Sequence, residues 1–305
     1  MTFNDDVLNG GSVSITSTTG DIEMTDGNAD SFVTQGQGTV VFSESGDVTF
    51  DAGGDVRVQN ISAESGDVLV NAGGGLTVER LIDTRATARS STGRIQLEGS
   101  RVDIAGIGIV TDRGDLQIEA TSGDILIDPN AVVFSTSGDI DATGASGWTA
   151  RNLSTEGDVS IAAQGSSALT LGGVVESRGA GRAEATGGRI VVAEDGRLLS
   201  NGGVVAVSAT NADVTMAAGR PIPGSATLRD TGFDAGLGSV EVDAAGDLNL
   251  QFINGAAGID VTSTAGDANI LGRLDGRVDA SDPSQGGGPL SIAAQNVNVS
   301  GEVTT

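Results

Sequence analysis

Apolar and polar residues alternate in short segments along the chain, and most of these segments begin after a glycine–aspartate pair. After Gly46-Asp47, for example, Val48 and Phe50 are apolar and Thr49 between them is polar. Strict alternation over a few residues is typical of β-strands that bury one face. An all-β chain is therefore predicted, with a strand after each pair: Gly20-Asp21, Gly46-Asp47, Gly66-Asp67, Gly114-Asp115, Gly123-Asp124, Gly157-Asp158 and Gly246-Asp247.

The spacing of the pairs predicts stacked turns rather than one large core. Alternating segments follow one another after about eight residues and then after a longer gap, so the larger repeat is roughly 20 residues. Two strong strands and one weaker strand per repeat predict a right-handed parallel β-helix, or β-solenoid, of triangular cross-section. Residues 1–305 are expected to form a single β-solenoid rod.

Each glycine–aspartate pair is interpreted as a corner between two strands. Glycine tolerates the positive φ that a sharp corner requires, and aspartate is a favourable turn residue. An antiparallel sandwich also has short strands at similar spacing. The nearly constant corner sequence and the small number of Asn-Gly hairpin signals favour the solenoid.

Four stretches interrupt the repeat and are predicted to be loops that bulge from the solenoid. They lie near residues 79–91, 176–187, 217–237 and 272–289, and together they hold more than half of the arginines. Loops of repeat proteins commonly carry specificity, but insertions are also tolerated without any role. Both interpretations stay open for these four stretches.

The composition excludes several classes of function. The chain has 41 acidic and 16 basic residues, a formal net charge of -25, and neither lysine nor histidine. An acidic surface repels phosphate backbones, so nucleic acid is not an expected partner. The lack of cysteine excludes disulfides and thiolate metal sites. No apolar window reaches the length of a transmembrane span.

Neither catalysis nor a dedicated metal site is predicted. Only Asp, Glu and Arg remain as acid–base groups, and turn chemistry already explains aspartates at repeating corners. Trp148 is the only tryptophan, so an aromatic platform for sugars is not expected. Fragments such as Gly53-Gly54-Asp55 do not keep the spacing of the calcium-binding nonapeptide repeat. We expect a non-enzyme with no catalytic, cofactor or metal site, and only weak, nonspecific binding of divalent cations.

One short motif indicates attachment. Arg113-Gly114-Asp115 has the tripeptide sequence that integrins recognise. The repeat already explains its glycine–aspartate corner, so the motif requires only the arginine that precedes it. Arg113, Gly114 and Asp115 are the candidate attachment residues.

The run Ser45 to Phe50, followed by Gly54 to Val58, resembles the degenerate repeats of filamentous haemagglutinin-like adhesins. Residues 121–124 and 136–140 repeat the same corner, and the resemblance covers residues 11–303. It implies the right-handed β-helical shaft of a secreted, surface-associated protein used in attachment or cell contact. The chain has no convincing copy of the Asn-Pro-Asn and Asn-x-x-Gly signatures of that family's secretion domain. We therefore expect a shaft segment of a longer protein, or a relative exported by another route.

Together, these features predict a non-enzymatic extracellular shaft of a bacterial surface adhesin or exoprotein. The expected partners are a host or neighbouring cell surface, glycans, or other copies of the chain. One alternative is a structural filament whose subunits stack end to end, because the alternating segment Asn296 to Ser300 would leave an open strand edge. A second alternative is a polysaccharide-active β-helix enzyme, which would require clustered carboxylates in a groove.

Overall fold

A computed structural model describes residues 1–3, 7–25, 40–85, 92–218, 231–277 and 287–305. Within these residues every regular element is a β-strand, and the strands pair in parallel as a β-solenoid with roughly 23 residues per turn. The predicted all-β parallel solenoid is confirmed, with a slightly longer average turn than the predicted 20 residues. The chain divides into two compact units, Met1–Ala145 and Ser146–Thr305.

The first unit consists of short strands joined by corners. Its strands are β1 (Thr2–Phe3), β2 (Val7–Asn9), β3 (Val13–Ser17), β4 (Ile22–Met24), β5 (Val40–Ser43), β6 (Val48–Ala52), β7 (Val56–Ala63), β8 (Val68–Ala72), β9 (Gly75–Asp83), β10 (Ile95–Gly99), β11 (Arg101–Ile104), β12 (Gly108–Thr111), β13 (Leu116–Ala120), β14 (Ile125–Ile127), β15 (Val132–Ser135) and β16 (Ile140–Gly144).

These strands form three parallel faces, as a triangular turn requires. The first face has the order β3-β6-β8-β10-β13-β16. The second is β1-β4-β7-β9-β11-β14, and the third is β2-β5-β7-β9-β12-β15. The long strands β7 and β9 run through the corner and belong to both the second and third faces.

The second unit has the same plan. Its strands are β17 (Trp148–Ala150), β18 (Leu153–Thr155), β19 (Val159–Ala163), β20 (Ala168–Leu171), β21 (Val174–Ser177), β22 (Ala183–Gly187), β23 (Arg189–Val192), β24 (Arg197–Ser200), β25 (Val204–Ala209), β26 (Val214–Met216), β27 (Gly232–Asp234), β28 (Ser239–Ala244), β29 (Leu248–Asn254), β30 (Gly258–Ser263), β31 (Ala268–Asp275), β32 (Leu290–Ala293), β33 (Val297–Val299) and β34 (Glu302–Thr304).

Three faces again result from parallel pairing. They are β19-β22-β25-β28-β30-β32, then β17-β20-β23-β26-β29-β31-β33, and then β18-β21-β24-β27-β29-β31-β34. The outward side of the third face carries Glu176, Arg197 and Asp234.

A narrow core of stacked aliphatic side chains fills each unit. Val48 pairs in register with Val68, and Phe50 with Val70, so equivalent inward positions lie directly above one another. These side chains are almost completely buried, while the intervening Leu69 is partly exposed. Burial of each such side chain stabilises the fold by about 2 kcal/mol. The alternation read from the sequence therefore separates inside from outside correctly.

The length of a turn varies along the chain. Asp47 and Asp67 occupy equivalent corners 20 residues apart, whereas the equivalent Asp213 and Asp247 are 34 residues apart. Residues 219–230, which lie within this longer turn, are outside the described residues. The average turn length is therefore longer than the spacing between the most regular corners.

Parts of the four predicted loops lie in regular structure or outside the described residues. Residues 86–91, 219–230 and 278–286 are not described, so the loop prediction for them stays a prediction. The other parts include the ends of strands β9, β21 and β31 and all of strands β22 and β27, which pair with neighbouring turns. Within the described residues, the structure has no helix with the length and apolar character that a membrane crossing requires.

Candidate functional site

The aspartates of the glycine–aspartate corners are linked to the backbone of the next turn. The backbone N–H of Asp67 donates to Oδ1 of Asp47 (2.9 Å), and that of Arg94 donates to Oδ1 of Asp67 (2.8 Å). In the second unit, Asp267 N donates to Asp247 Oδ1, and Asp247 N donates to Oδ1 of Asp213, which follows an alanine instead of a glycine; both distances are 2.8 Å. We call these contacts the aspartate ladder. Each of these carboxylates satisfies a backbone donor that the corner would otherwise leave unpaired.

Glycine is required at these corners for a reason that differs from the prediction. None of Gly46, Gly66, Gly114 and Gly138 has a φ between +20° and +160°, so the expected positive φ is wrong. Instead, the backbone of the adjacent turn passes very close. A Cβ atom at Gly66 would overlap the carbonyl group of Gly46, well inside the 3.0 Å that real Cβ atoms keep. Close approach of stacked turns therefore excludes any side chain at this position.

A buried hydroxyl completes several of the corners, and sequence reasoning missed it. Ser135 Oγ donates to the carbonyl oxygen of Gly114 (3.2 Å) and accepts from the N–H of Gly138 (2.8 Å). Ser263 makes the equivalent bonds to Gly246 and Gly266. The fuller corner motif is thus Ser-x-x-Gly-Asp. Its signal was present in the sequence as a hydroxyl residue three positions before the glycine.

The candidate attachment tripeptide lies in one of these corners. Arg113 and Asp115 are exposed, whereas Gly114 is buried against the carbonyl group of Gly93. Asp115 Oδ1 accepts a hydrogen bond from the N–H of Asp139 (3.0 Å). The glycine and one carboxylate oxygen therefore have structural roles, and integrin-type attachment stays a prediction.

Removal of one rung should measure the contribution of the aspartate ladder. We expect Asp67→Ala to lower the free energy of unfolding of the first unit by about 2 kcal/mol, because Arg94 N loses a charged acceptor. Asp67→Asn keeps an acceptor oxygen and should lose less than half of that amount. Urea unfolding followed by far-UV circular dichroism measures both. Equal losses in the two variants would contradict the ladder.

A buried ion pair lies near the end of the second unit. Asp275 is 3% exposed, and its two carboxylate oxygens accept hydrogen bonds from Nε and Nη2 of Arg277, each at 2.9 Å. Arg273 also pairs with Asp275. The hydrogen bonds from Arg277 hold the pKa of Asp275 below its ordinary value of 3.8. The charged form of this carboxylate therefore stabilises the folded state.

This lowered pKa predicts a defined dependence of stability on pH. The stabilisation is complete above the unfolded value near 3.8 and is lost as the pH falls through the lower folded pKa. At pH 7, Asp275→Asn should destabilise the second unit by about 3 kcal/mol, because two guanidinium groups lose a buried partner. The gap between wild type and variant should close below the folded pKa. Urea unfolding followed by Trp148 fluorescence tests this, and a gap that is constant with pH would contradict it.

A surface pocket of about 430 Å³ lies on the third face of the second unit. Its lining includes Glu176 of β21 and Arg178 directly after that strand, Leu199 of β24 and Asn201 directly after that strand, and Asp234 of β27. The corners here do not have the glycine–aspartate sequence, since the equivalent pairs are Gly181-Arg182, Gly203-Val204 and Gly238-Ser239. Gly202 and Gly236, which adjoin the pocket, have positive φ values of 101° and 54°. The pocket therefore occurs where the regular corner is replaced.

Two carboxylates in the pocket are each held through one oxygen. Glu176 Oε1 accepts from Nε of Arg178 (2.6 Å) and from Oγ of Ser154 (2.9 Å). Asp234 Oδ1 accepts from the N–H of Gly236 (2.9 Å) and from Nδ2 of Asn254 (2.8 Å). In the described part of the chain, no hydrogen bond reaches Glu176 Oε2 or Asp234 Oδ2. Both oxygens are therefore available as acceptors.

The outward face beside the pocket carries an arginine and a phenylalanine. Arg197 is two residues before Leu199 on the same side of β24, and it pairs in register with Gly232, which in turn pairs with Phe252. The buried Nε of Arg197 has no hydrogen-bond partner, and none of the described carboxylates forms an ion pair with this residue. Phe252 is half-buried. Gly232, which has no side chain, is buried between the two.

Trp148, the only tryptophan in the sequence, has a structural position. Trp148 is buried, and its indole N–H donates to the carbonyl oxygen of Ala162 (2.7 Å). Burial raises the pKa of Asp103. The positive charge of Arg101 partly opposes this increase, and the negative charges of Asp124 and Asp128 add to it.

Among the residues that the structure describes, no group of three or more acidic side chains is arranged to hold a metal ion. Weak cation binding stays a prediction.

The fold and these sites define a β-solenoid with hydrogen-bonded polar corners. Comparison of the chain with protein-family models, curated proteins and solved structures finds no match. The resemblance to adhesin repeats therefore supports a proposal only.

Proposed function

We propose that this chain is a stiff, non-enzymatic β-solenoid scaffold that acts outside the cell, as a shaft segment of a bacterial surface adhesin or exoprotein. The aspartate ladder is the observation that supports this proposal most strongly. It recurs in both units, and each rung uses an acidic side chain to connect one turn to the next. A mechanical role gives such repeated contacts a purpose along the entire chain.

The charge distribution also supports an exposed scaffold. The formal net charge is -25, and several arginines pair on the surface with nearby carboxylates, as Arg57 does with Glu23 and Glu79. Surface ion pairs of this type contribute little stability, but a large net charge keeps a repeat protein soluble and discourages lateral association. A shaft whose binding function lies in another part of the protein requires both solubility and a low tendency to associate laterally.

Antibody labelling of the source cells tests location and function together. Antibodies raised against the purified chain should label intact cells, and the purified chain should reduce cell attachment when it is added as a competitor. Labelling that appears only after permeabilisation would contradict an extracellular scaffold. Release of reducing ends from polysaccharides by the purified chain would instead support the enzyme alternative.

One observation favours self-assembly as a second candidate function. Val299 of β33 is 53% exposed, although the equivalent Ile270 of the preceding turn is completely buried. Val303 of β34 is also exposed, whereas its partner Leu274 is buried. A second copy, or further turns of a longer chain, would cover these positions. Sedimentation velocity over a concentration series tests self-assembly, and Val299→Asp should abolish any concentration-dependent growth.

A further inference from the structure

The third face of the second unit combines hydrogen-bond donors and acceptors in an open pocket. Glu176 and Asp234 each present one carboxylate oxygen without a partner among the described residues. Beside the lining residues, Arg197 presents a guanidinium group without a carboxylate partner among the described residues, and it lies on the same side of β24 as Leu199, which lines the pocket. The pocket volume of about 430 Å³ is within the range of small-ligand sites.

The chemistry of these groups selects one class of ligand. A bare metal cation would be repelled by Arg178 and Arg197. A phosphate carries more negative charge than a single carboxylate, so Glu176 and Asp234 would repel it more strongly, and it has no apolar face to contact Leu199. Sugar hydroxyls both donate and accept hydrogen bonds, so they match a pocket in which carboxylates stand beside a guanidinium group. The apolar side chains of Leu199 and Phe252 provide surface for the carbon face of a sugar ring.

Arg197 determines the charge of that ligand. Arg197 is partly exposed and has no carboxylate partner among the described residues, in an acidic protein where many other arginines have one. A ligand carboxylate is the group that a guanidinium fork binds best, through two parallel hydrogen bonds. Adjacent strands of a sheet are about 4.8 Å apart, so Arg197 and Phe252, two strands apart, can contact one sugar residue and its substituent.

We propose that this face is a binding site for a carboxylate-bearing sugar residue. Arg197 binds the carboxylate, Glu176 and Asp234 accept hydrogen bonds from ring hydroxyls, and Leu199 and Phe252 contact the ring. This inference goes beyond the scaffold function and does not rest on it, because the site stands on groups that the aspartate ladder does not use.

Saturation-transfer NMR with D-glucuronate and D-glucose tests the site on the full chain. The two probes differ only at C6, which is a carboxylate in glucuronate and a hydroxymethyl group in glucose. Wild type should therefore bind glucuronate in the millimolar range and glucose much more weakly. Arg197→Gln should weaken glucuronate binding by about tenfold, because a bidentate charged contact is lost. Arg197→Lys should restore part of the affinity, since it keeps the charge without the fork.

Arg189→Gln is the matched control. Arg189 belongs to the same unit and is exposed, but it lies on β23 of the second face, away from the residues that line the pocket. Its replacement should leave glucuronate binding unchanged, and Trp148 fluorescence confirms that each variant is folded. Failure of both sugars to bind, or an equal loss in the Arg189 and Arg197 variants, would overturn the proposal. Displacement of glucuronate by an equimolar oligo-glutamate peptide would also overturn it, because the site would then recognise acidic peptides.

Discussion

Replacement of Gly114 by alanine is expected to lower the free energy of unfolding of the first unit by about 3 kcal/mol or more. The added Cβ would overlap the carbonyl group of Gly93, well inside the 3.0 Å that real Cβ atoms keep. Backbone atoms of a stacked turn cannot move aside as the end of a flexible side chain can. Turns on both sides of the corner must therefore separate. Urea unfolding followed by far-UV circular dichroism measures the change.

Gly11→Ala is the matched control for this substitution. Gly11 also lies in the first unit, but a Cβ atom there would have no heavy atom within 4 Å. The control variant should differ from wild type by less than about 0.5 kcal/mol. If Gly114→Ala were equally harmless, close approach of the turns would not explain the glycine repeat. In that case, a loss of cell attachment in the Gly114→Ala variant would support Arg113-Gly114-Asp115 as an attachment motif, because the fold would be unchanged.

The fold was predictable because its signal is local and repeated. Alternation such as that of Val48, Thr49 and Phe50 identifies a strand and its inward face without knowledge of any partner. The reason for glycine at each corner was not predictable in this way. Gly66 is restricted by Gly46, and Asp67 is used by Arg94, so both constraints come from neighbouring turns. They become visible only when the stacking register is known.

The pocket illustrates a second limit of sequence reasoning. Arg197 and Phe252 are far apart in sequence, and their proximity depends on the pairing of β24, β27 and β29. No local motif indicates such a site. The available signal was the replacement of the glycine–aspartate corner by pairs such as Gly181-Arg182 and Gly203-Val204. Departures from a repeat are informative because turns that only stack have no need to differ from one another.

Replacement of Val70 by aspartate is expected to unfold the turns around β8 and to lower the free energy of unfolding by about 4 kcal/mol or more. Val70 is 2% exposed and lies between Phe50 and Leu97 in the inward stack. A carboxylate at this position would be surrounded by aliphatic side chains and would have no hydrogen-bond donor from the core. Far-UV circular dichroism during urea unfolding measures the loss, and limited proteolysis should show new cleavage near β8.

Leu69→Asp makes the same chemical change one residue earlier and provides the control. Leu69 faces outward and pairs with the polar Thr49 and Gln96, so an aspartate there remains in contact with water. Its cost should stay below about 1 kcal/mol, and the proteolytic pattern should match that of wild type. Because the two variants differ only in the side of the strand, the ratio of their effects measures how strictly the solenoid separates inside from outside. Equal effects would mean that β8 does not bury one face, which would contradict the stacked core on which the scaffold proposal depends.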